Sequence, residues 1–491
     1  MDNEIGKNSS DKHTKYKASY GKNELYWGIG IENELYLEFE RKVQVDKKKF
    51  LNYHKRERYS VDYYKNYVEE HVNCGFLYES FIDSIELPVL MNSHSLTKTD
   101  KFNQPKTLYT KLCEPNPKFC GQSLWELAMK NAYLADNFQK NYTFDGDTIE
   151  VITQNFYNTQ HDTVMEEYKK IKKDFIGNLR SVFSENNVFP EYGKIGFQKD
   201  NHQFALYLTN FHNIGIFNNG TLHFNITLPT QLREDGKILD KAGFVNIHKN
   251  YIKLIQFMEP FFLAKFGSPD KFHKIPCDYA KLFSACSQRC AVSRYIGIGT
   301  YDTDSMKTGK LLQDDSSLFD VVTKDYGWYN QYYRDCAYTK GEKMGYDVNF
   351  NKHYNHGVEI RFFDHIADDA KISDVLEDLI YLGDWALEND IAENPIKSAT
   401  WNGLVVKCMR KGKNTQLSFE ELELYNSLFK TKFWNQDICS LYNEIIEVAC
   451  STKEKLFSKY ALKTDEIKCV EPPLTVMQHR RIKGGGCCLI S

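Results

Sequence analysis

The sequence lacks a long apolar run near its start: residues 1–20 are polar, rich in Lys, Ser and Asn, and offer nothing that could serve as a signal peptide or membrane span. The chain is therefore expected to start in the cytosol, and the sequon Asn219-Gly220-Thr221 reads as a chance match, because glycosylation needs the secretory lumen. An excess of positive charge is missing as well. Net charge is −3 with acids and bases interspersed, which removes the electrostatic footprint of an ordinary nucleic-acid-binding domain, and no nucleic-acid partner is expected. Nor are the cysteines paired for a framework. The 13 are odd in number and scattered, and Cys286 and Cys290 have no matching second pair for zinc, so they read as reduced thiols. No internal repeat and no Pro/Gly-rich linker divides the chain into independent halves.

What is present is enough apolar material, 42% of 491 residues, for one large catalytic domain with additions or for two domains. The pattern predicts an α+β fold. Short strands and helices alternate up to about residue 365, and helices dominate beyond it. Val164, Met165, Tyr168, Ile171, Phe175, Leu179 and Val182 recur at helical spacing, with Thr163 and Glu166 placed as a capping box. Further helices are predicted over 251–266, 372–389 and 438–460. The expected division is a flexible segment 1–24, a catalytic domain 25–370, a helical region 371–470 and a flexible tether 471–491.

Residues two apart on a strand share a face, so a strand mixing apolar and functional residues shows which side is core. Four segments do this. Around Gly30, the residues Ile29, Ile31 and Leu35 oppose Gly30, Glu32 and Glu34, with the glycine expected to leave room for a ligand. Glu150 opposes Ile149 and Val151. His223, Asn225 and Thr227 oppose Leu222, Phe224, Ile226 and Leu228, and Glu359 and Arg361 oppose Val358, Ile360 and Phe362. Any one such face is as well read as an ordinary solvated one. Together, in a Lys-rich chain, they are nearly free of Lys and carry carboxylates, an imidazole and one guanidinium. If the strands share a sheet, hard oxygen ligands at this density suit Mg²⁺ or Mn²⁺, with a phosphate-bearing substrate as companion.

At this point the residues resemble a known family. Gly30-Ile31-Glu32-Asn33-Glu34 resembles the G-x-E-x-E strand of the glutamine synthetase-like carboxylate–amine ligases, which include glutamate–cysteine ligase and the amidoligases. Asp145-Gly146-Asp147-Thr148-Ile149-Glu150 looks like their second acidic strand, and Gly220-Thr221-Leu222-His223-Phe224-Asn225 like their G-x-H-x-H strand with Asn as the last residue. Gly357-Val358-Glu359-Ile360-Arg361 is similar to their late strand. Tyr301-Asp302-Thr303-Asp304-Ser305-Met306-Lys307-Thr308-Gly309 resembles a T-D-T-D-x-x-R-x-G loop, with Tyr301 and Lys307 at its Thr and Arg. The order and spacing agree over residues 27–365.

The resemblance implies a glutamine synthetase-like fold whose polar, concave sheet face is covered by helices, and an ATP-dependent ligase that joins a carboxylate, glutamate by family habit, to an amine. It implies Glu32, Glu34, Glu150, His223 and Glu359 as holders of Mg²⁺ or Mn²⁺. Asn225 and Arg361 would attend ATP, with Arg361 and Glu359 at the transferring phosphoryl group. Asp302, Asp304 and Lys307 would contact substrate. Arg294 is the candidate for a substrate carboxylate, and equally reads as a surface arginine.

The last residues add a separate expectation. Cys488-Leu489-Ile490-Ser491 fits a C-a-a-X box for a prenyltransferase, farnesyl by its Ser, and Cys487 is positioned for palmitate. Arg480, Arg481 and Lys483 would add attraction to anionic lipid, behind a spacer of Gly484, Gly485 and Gly486. That predicts a cytoplasmic protein held on the cytosolic face of a membrane. Two other readings stand beside the small-molecule ligase: a ligase acting on a protein or membrane-associated amine, and a lipidated adaptor without turnover. The run 353–356, containing His353 and His356, reads as a loop before the Glu359 strand.

Overall fold

Alternating apolar and polar residues build six antiparallel strands into one sheet, in the spatial order β5-β6-β4-β1-β3-β2. They are β1 (Tyr26–Leu35), β2 (Tyr142–Asp145), β3 (Thr148–Ile152), β4 (Thr221–Thr230), β5 (Val348–Phe350) and β6 (Val358–Asp364). The computed structural model describes residues 25–46, 84–91, 109–111, 114–115, 124–145, 148–199, 206–207, 210–214, 221–268, 287, 300–310, 347–350 and 357–463. The class is α+β, and the four strands singled out from sequence lie side by side as β3, β1, β4 and β6. After Leu35 the chain passes through Tyr36, whose N–H and C=O are both held by Gln198, into Leu37–Phe39 of a second, five-stranded sheet. That sheet is mixed, since Leu206–Tyr207 runs parallel to Val89–Met91.

The core explains which side of the six-stranded sheet is dry. Ile29, Ile31, Ile149, Val151, Leu222, Phe224, Ile226, Val358 and Ile360 join one buried cluster with the helices α1 (His161–Glu185) and α2 (Lys241–Phe266). The resemblance placed helices over the polar face; here α1 and α2 pack on the apolar one. Asn33, on the same face as Ile29 and Ile31, is fully buried there and donates from its side-chain amide to the Tyr168 hydroxyl at 2.5 Å.

All seven apolar positions predicted for α1 are buried. Its predicted start is not. The cap is Gln160, so Thr163 and Glu166 fall inside the first turns and form no capping box. Glu167 instead accepts the backbone N–H groups of Gln154 and Asn155, both at 2.9 Å, and fixes the segment that leaves β3. Helix α2 starts ten residues before the predicted 251, because Asp240 caps it by accepting from Gly243 N–H at 2.9 Å.

Beyond β6 come α3 (Asp369–Glu388), α4 (Ala399–Lys411), α5 (Phe419–Phe429) and α6 (Ile438–Cys450). They share the buried cluster of α2, through Leu376, Leu379, Trp401, Tyr425 and Tyr442, so this region completes the core. The helix predicted over 438–460 breaks after Cys450. The buried Asp384 carboxylate of α3 accepts the backbone N–H groups of Phe457 and Ser458, which redirects the chain into the short helix Ser458–Ala461. Among the described residues no helix is long and apolar enough to cross a membrane.

Candidate functional site

Strand register turns separate sequence motifs into one cluster. β1 and β4 pair so that Glu32 lies opposite His223 and Gly30 opposite Asn225; β4 and β6 put Asn225 opposite Glu359, and β1 and β3 put Glu34 opposite Glu150. Directly opposed residues project their side chains side by side on one face, about 5 Å apart. Ligand atoms of Glu32, His223 and Glu359 consequently lie within 4.8 Å of one another, and so do those of Glu34, Glu150 and His223. His223 stands at the junction of the two groups.

The imidazole is fully buried. Its Nδ1 lies 3.8 Å from Glu32 Oε2 and 3.7 Å from Glu359 Oε1, too far for hydrogen bonds, and has no hydrogen-bond partner among the described residues. Its Nε2 lies 2.8 Å from Thr221 Oγ1, which is 2.6 Å from Glu34 Oε2. Burial first, and then the Arg361 guanidinium, pushes the His223 pKa below its ordinary value against the pull of Glu32, Glu34 and Glu359. The lowering favours the neutral ring, the form that ligates a metal.

Glu359 is held at both oxygens. Asn349 of β5 donates to Oε2 at 2.7 Å, and the Arg361 Nη1 donates to Oε1 from two residues along the same strand face. Burial of Arg361 on its own would weaken its hold on the proton, but the carboxylates of Glu359, Glu34 and Glu32 outweigh that and raise its pKa, so the guanidinium is a permanent charge. Among the described residues, four carboxylates and one guanidinium gather around this ring. Such a set can hold a hard divalent cation through oxygen and imidazole ligands.

No protein-family model matches the chain. An uncharacterized protein of Acanthamoeba polyphaga mimivirus, R704, is 37% identical over 425 residues, which is 86% of this chain and 73% of the viral protein. The chain belongs to the family of that mimivirus protein. The similarity covers most of both chains, but that relative's name states no activity, so the family supplies no chemistry for the cluster.

The structure sorts the remaining sequence candidates. The space expected beside Gly30 is filled: a Cβ on Gly30 would lie 2.4 Å from the Phe156 ring, and one on Gly28 2.2 Å from it. These glycines admit a packed aromatic side chain. Asp302 is buried, accepting from Asp304 N–H at 3.1 Å, Asn394 Nδ2 at 2.9 Å and Ser305 Oγ at 2.9 Å. Gln256 of α2 donates to the Tyr301 carbonyl at 2.6 Å, and Asp304 pairs at the surface with Lys397. Neither aspartate belongs to the ligand-distance groups around His223. Lys307 opens the strand paired with Thr300–Asp302, and its side chain lies outside the described residues, as do Arg294, His353, His356, Cys487 and Cys488. Sequence reasoning missed two contributors. Thr221 was legible, being two positions before His223 on the same face. Asn349 was not, since β5 is three residues long, too short for its apolar–polar–apolar order to stand out.

Proposed function

We propose that the chain is an ATP-dependent carboxylate–amine ligase of the glutamine synthetase-like kind, with the polar face of the six-stranded sheet as its active site. The observation that carries the reading is the junction at His223, where two carboxylate groups meet one neutral imidazole beside Arg361. The residues fit a divalent cation: His223 Nδ1 is buried between Glu32 and Glu359 with no hydrogen-bond partner among the described residues. Glu32, His223 and Glu359 would hold one Mg²⁺ or Mn²⁺, and Glu34 and Glu150 another. When bound, Mg²⁺ and ATP would supply phosphate-charge neutralisation and the transferable phosphoryl group.

In that reaction a carboxylate oxygen, glutamate's in the simplest version, bonds to the γ-phosphorus as ADP departs. An amine nitrogen then bonds to the acyl carbon of the acyl phosphate as phosphate departs and the nitrogen loses a proton. Arg361 holds a fixed positive charge two residues from Glu359, where negative charge on a transferring phosphoryl group would be stabilised. Asn225, buried between Gly30 and Glu359, offers an amide to the nucleotide.

An amine on a protein or at a membrane is the second reading for the acceptor, favoured by Cys487 and Cys488, since a lipid anchor would raise the effective concentration of a membrane-bound substrate. The deciding experiment is ADP release by the full chain with Mg-ATP and glutamate over a panel of amines, with Glu32→Gln in parallel. Amine-dependent release lost in the variant supports the ligase. Release with no small amine but with a protein or vesicle-borne amine selects the second reading, and failure to bind Mg-ATP overturns both in favour of the adaptor.

A further inference from the structure

Thr221 has one hydroxyl proton and two neighbours that would take it. Its Oγ1 lies 2.6 Å from Glu34 Oε2 and 2.8 Å from His223 Nε2. In the shorter contact the Thr221 hydroxyl is the donor and the Glu34 carboxylate the acceptor. The contact to Nε2 must then be donated by the ring. A neutral imidazole has one N–H, so with it on Nε2 the lone pair is on Nδ1, between Glu32 and Glu359. The opposite arrangement, with Thr221 donating to Nε2, would leave Glu34 facing a hydroxyl oxygen lone pair at 2.6 Å. It would also place an Nδ1–H with both nearest carboxylate oxygens at 3.7 Å or more.

We propose that Thr221 is a positioning residue that fixes the tautomer of His223, donating its hydroxyl hydrogen bond to Glu34 and accepting one from the Nε2–H, so that the ring ligates a cation only through Nδ1, in the Glu32 and Glu359 site. The proposal rests on reading His223 as a cation ligand. It has a consequence for the neighbouring group: Glu34 and Glu150 cannot draw on the same ring while Nε2 carries its proton. One imidazole thereby serves one cation, and the hydroxyl of Thr221 ties the ring to the carboxylate that belongs to the other group. Partners of this kind beyond the ligands orient a metal-binding imidazole and typically change affinity tenfold or more when removed.

The test begins without metal. Long-range ¹H–¹⁵N correlation spectra of the chelator-treated full chain, labelled at histidine, report which ring nitrogen carries hydrogen; the His223 signal is the one lost in His223→Gln. The expected wild-type pattern is protonated Nε2 and bare Nδ1, and an Nδ1–H ring overturns the proposal whatever the enzyme's activity. Mn²⁺ binding, followed by the paramagnetic resonance of free Mn²⁺, is then compared among variants. Thr221→Ser, which keeps the hydroxyl, is expected within about twofold of wild type, and Thr221→Val about tenfold weaker at an unchanged melting temperature. Equal Mn²⁺ affinity in Thr221→Val overturns the proposal. A wild-type chain with the expected tautomer that binds no Mn²⁺ overturns instead the cation reading on which it rests.

Discussion

The Trp401 indole donates its Nε1–H to the backbone carbonyl of Gln256 at 2.7 Å, and that carbonyl is the one left without its helical donor by Pro260, four residues on in α2. The Tyr425 hydroxyl donates to the next carbonyl, Phe257, at 2.8 Å. Helices α4 and α5 thus complete the hydrogen bonding of a helix that proline interrupts, and dock the C-terminal region in one register.

Trp401→Phe is accordingly expected to cost roughly 1–3 kcal/mol, the penalty for a buried carbonyl left unpaired. In a Pro260→Ala background the restored amide can serve Gln256, and the same substitution is expected to cost about 1 kcal/mol less. Urea midpoints for the four proteins of this cycle measure the coupling; strict additivity would show that the indole bond does not answer the proline.

His248 gives the fold an acid limit. Its Nδ1 faces the Phe244 carbonyl at 2.8 Å and its Nε2 accepts the N–H of Leu228 at 2.9 Å, just past the last pairing of β4 with β6. Complete burial lowers its pKa to about 4, outweighing the Phe244 bond, which raises it. The folded pKa is depressed, so the unfolded chain binds the extra proton between pH 6.5 and about 4. Stability from this group is therefore full above about 6.5 and lost as pH falls through that window. The loss is on the order of 3 kcal/mol. Denaturant unfolding at a series of pH values should show this decline, and His248→Gln should flatten it; an unaltered slope would exclude His248 as the cause.

Much of the site was legible because two levels of order coincide. Alternation fixed which side of β1, β3, β4 and β6 carries Glu32, Glu34, Glu150, His223, Asn225, Glu359 and Arg361, and antiparallel register then brought those faces together. Long-range choices were not legible. That the Gly28 and Gly30 face receives the Phe156 ring depends on a turn after β3, and that the last long helix ends at Cys450 depends on Asp384 in another helix. The Asp302 carboxylate also accepts from Asn394, 92 residues away, a contact that no local pattern announces.

Two glycines separate close packing from mere flexibility. A Cβ on Gly357, just before β6, would lie 2.3 Å from the Ile226 carbonyl oxygen and 2.5 Å from His248 Nε2, and the first of these is backbone that cannot swing aside. Gly357→Ala is expected to destabilise by about 1–3 kcal/mol or more through overpacking, and to weaken Mn²⁺ binding by displacing Glu359. Gly403, exposed within α4, meets nothing within 4 Å, so Gly403→Ala should stabilise by roughly 0.5–1 kcal/mol. Thermal melts of the pair test this, and equal shifts of one sign would contradict the packing argument.

The anionic cluster makes a prediction in which one substitution has opposite effects with and without cation. Glu32, Glu34 and Glu359 each stand within 4 Å of the His223 ring with Arg361 as a nearby counter-charge, and like charges this close together repel one another. Glu32→Gln removes one of those charges while keeping the shape, and its metal-free melting temperature is expected to rise. Saturating Mn²⁺ at about 100 times the dissociation constant should stabilise the wild type by about 2.7 kcal/mol, whereas the variant, missing one ligand, should gain less than half as much at the same concentration. Calorimetric scans with and without Mn²⁺ give both quantities. If the variant melts lower without metal, repulsion does not dominate the face; if it keeps the full Mn²⁺ shift, Glu32 is not a ligand, and the Nδ1 side of His223 loses its claim to the cation.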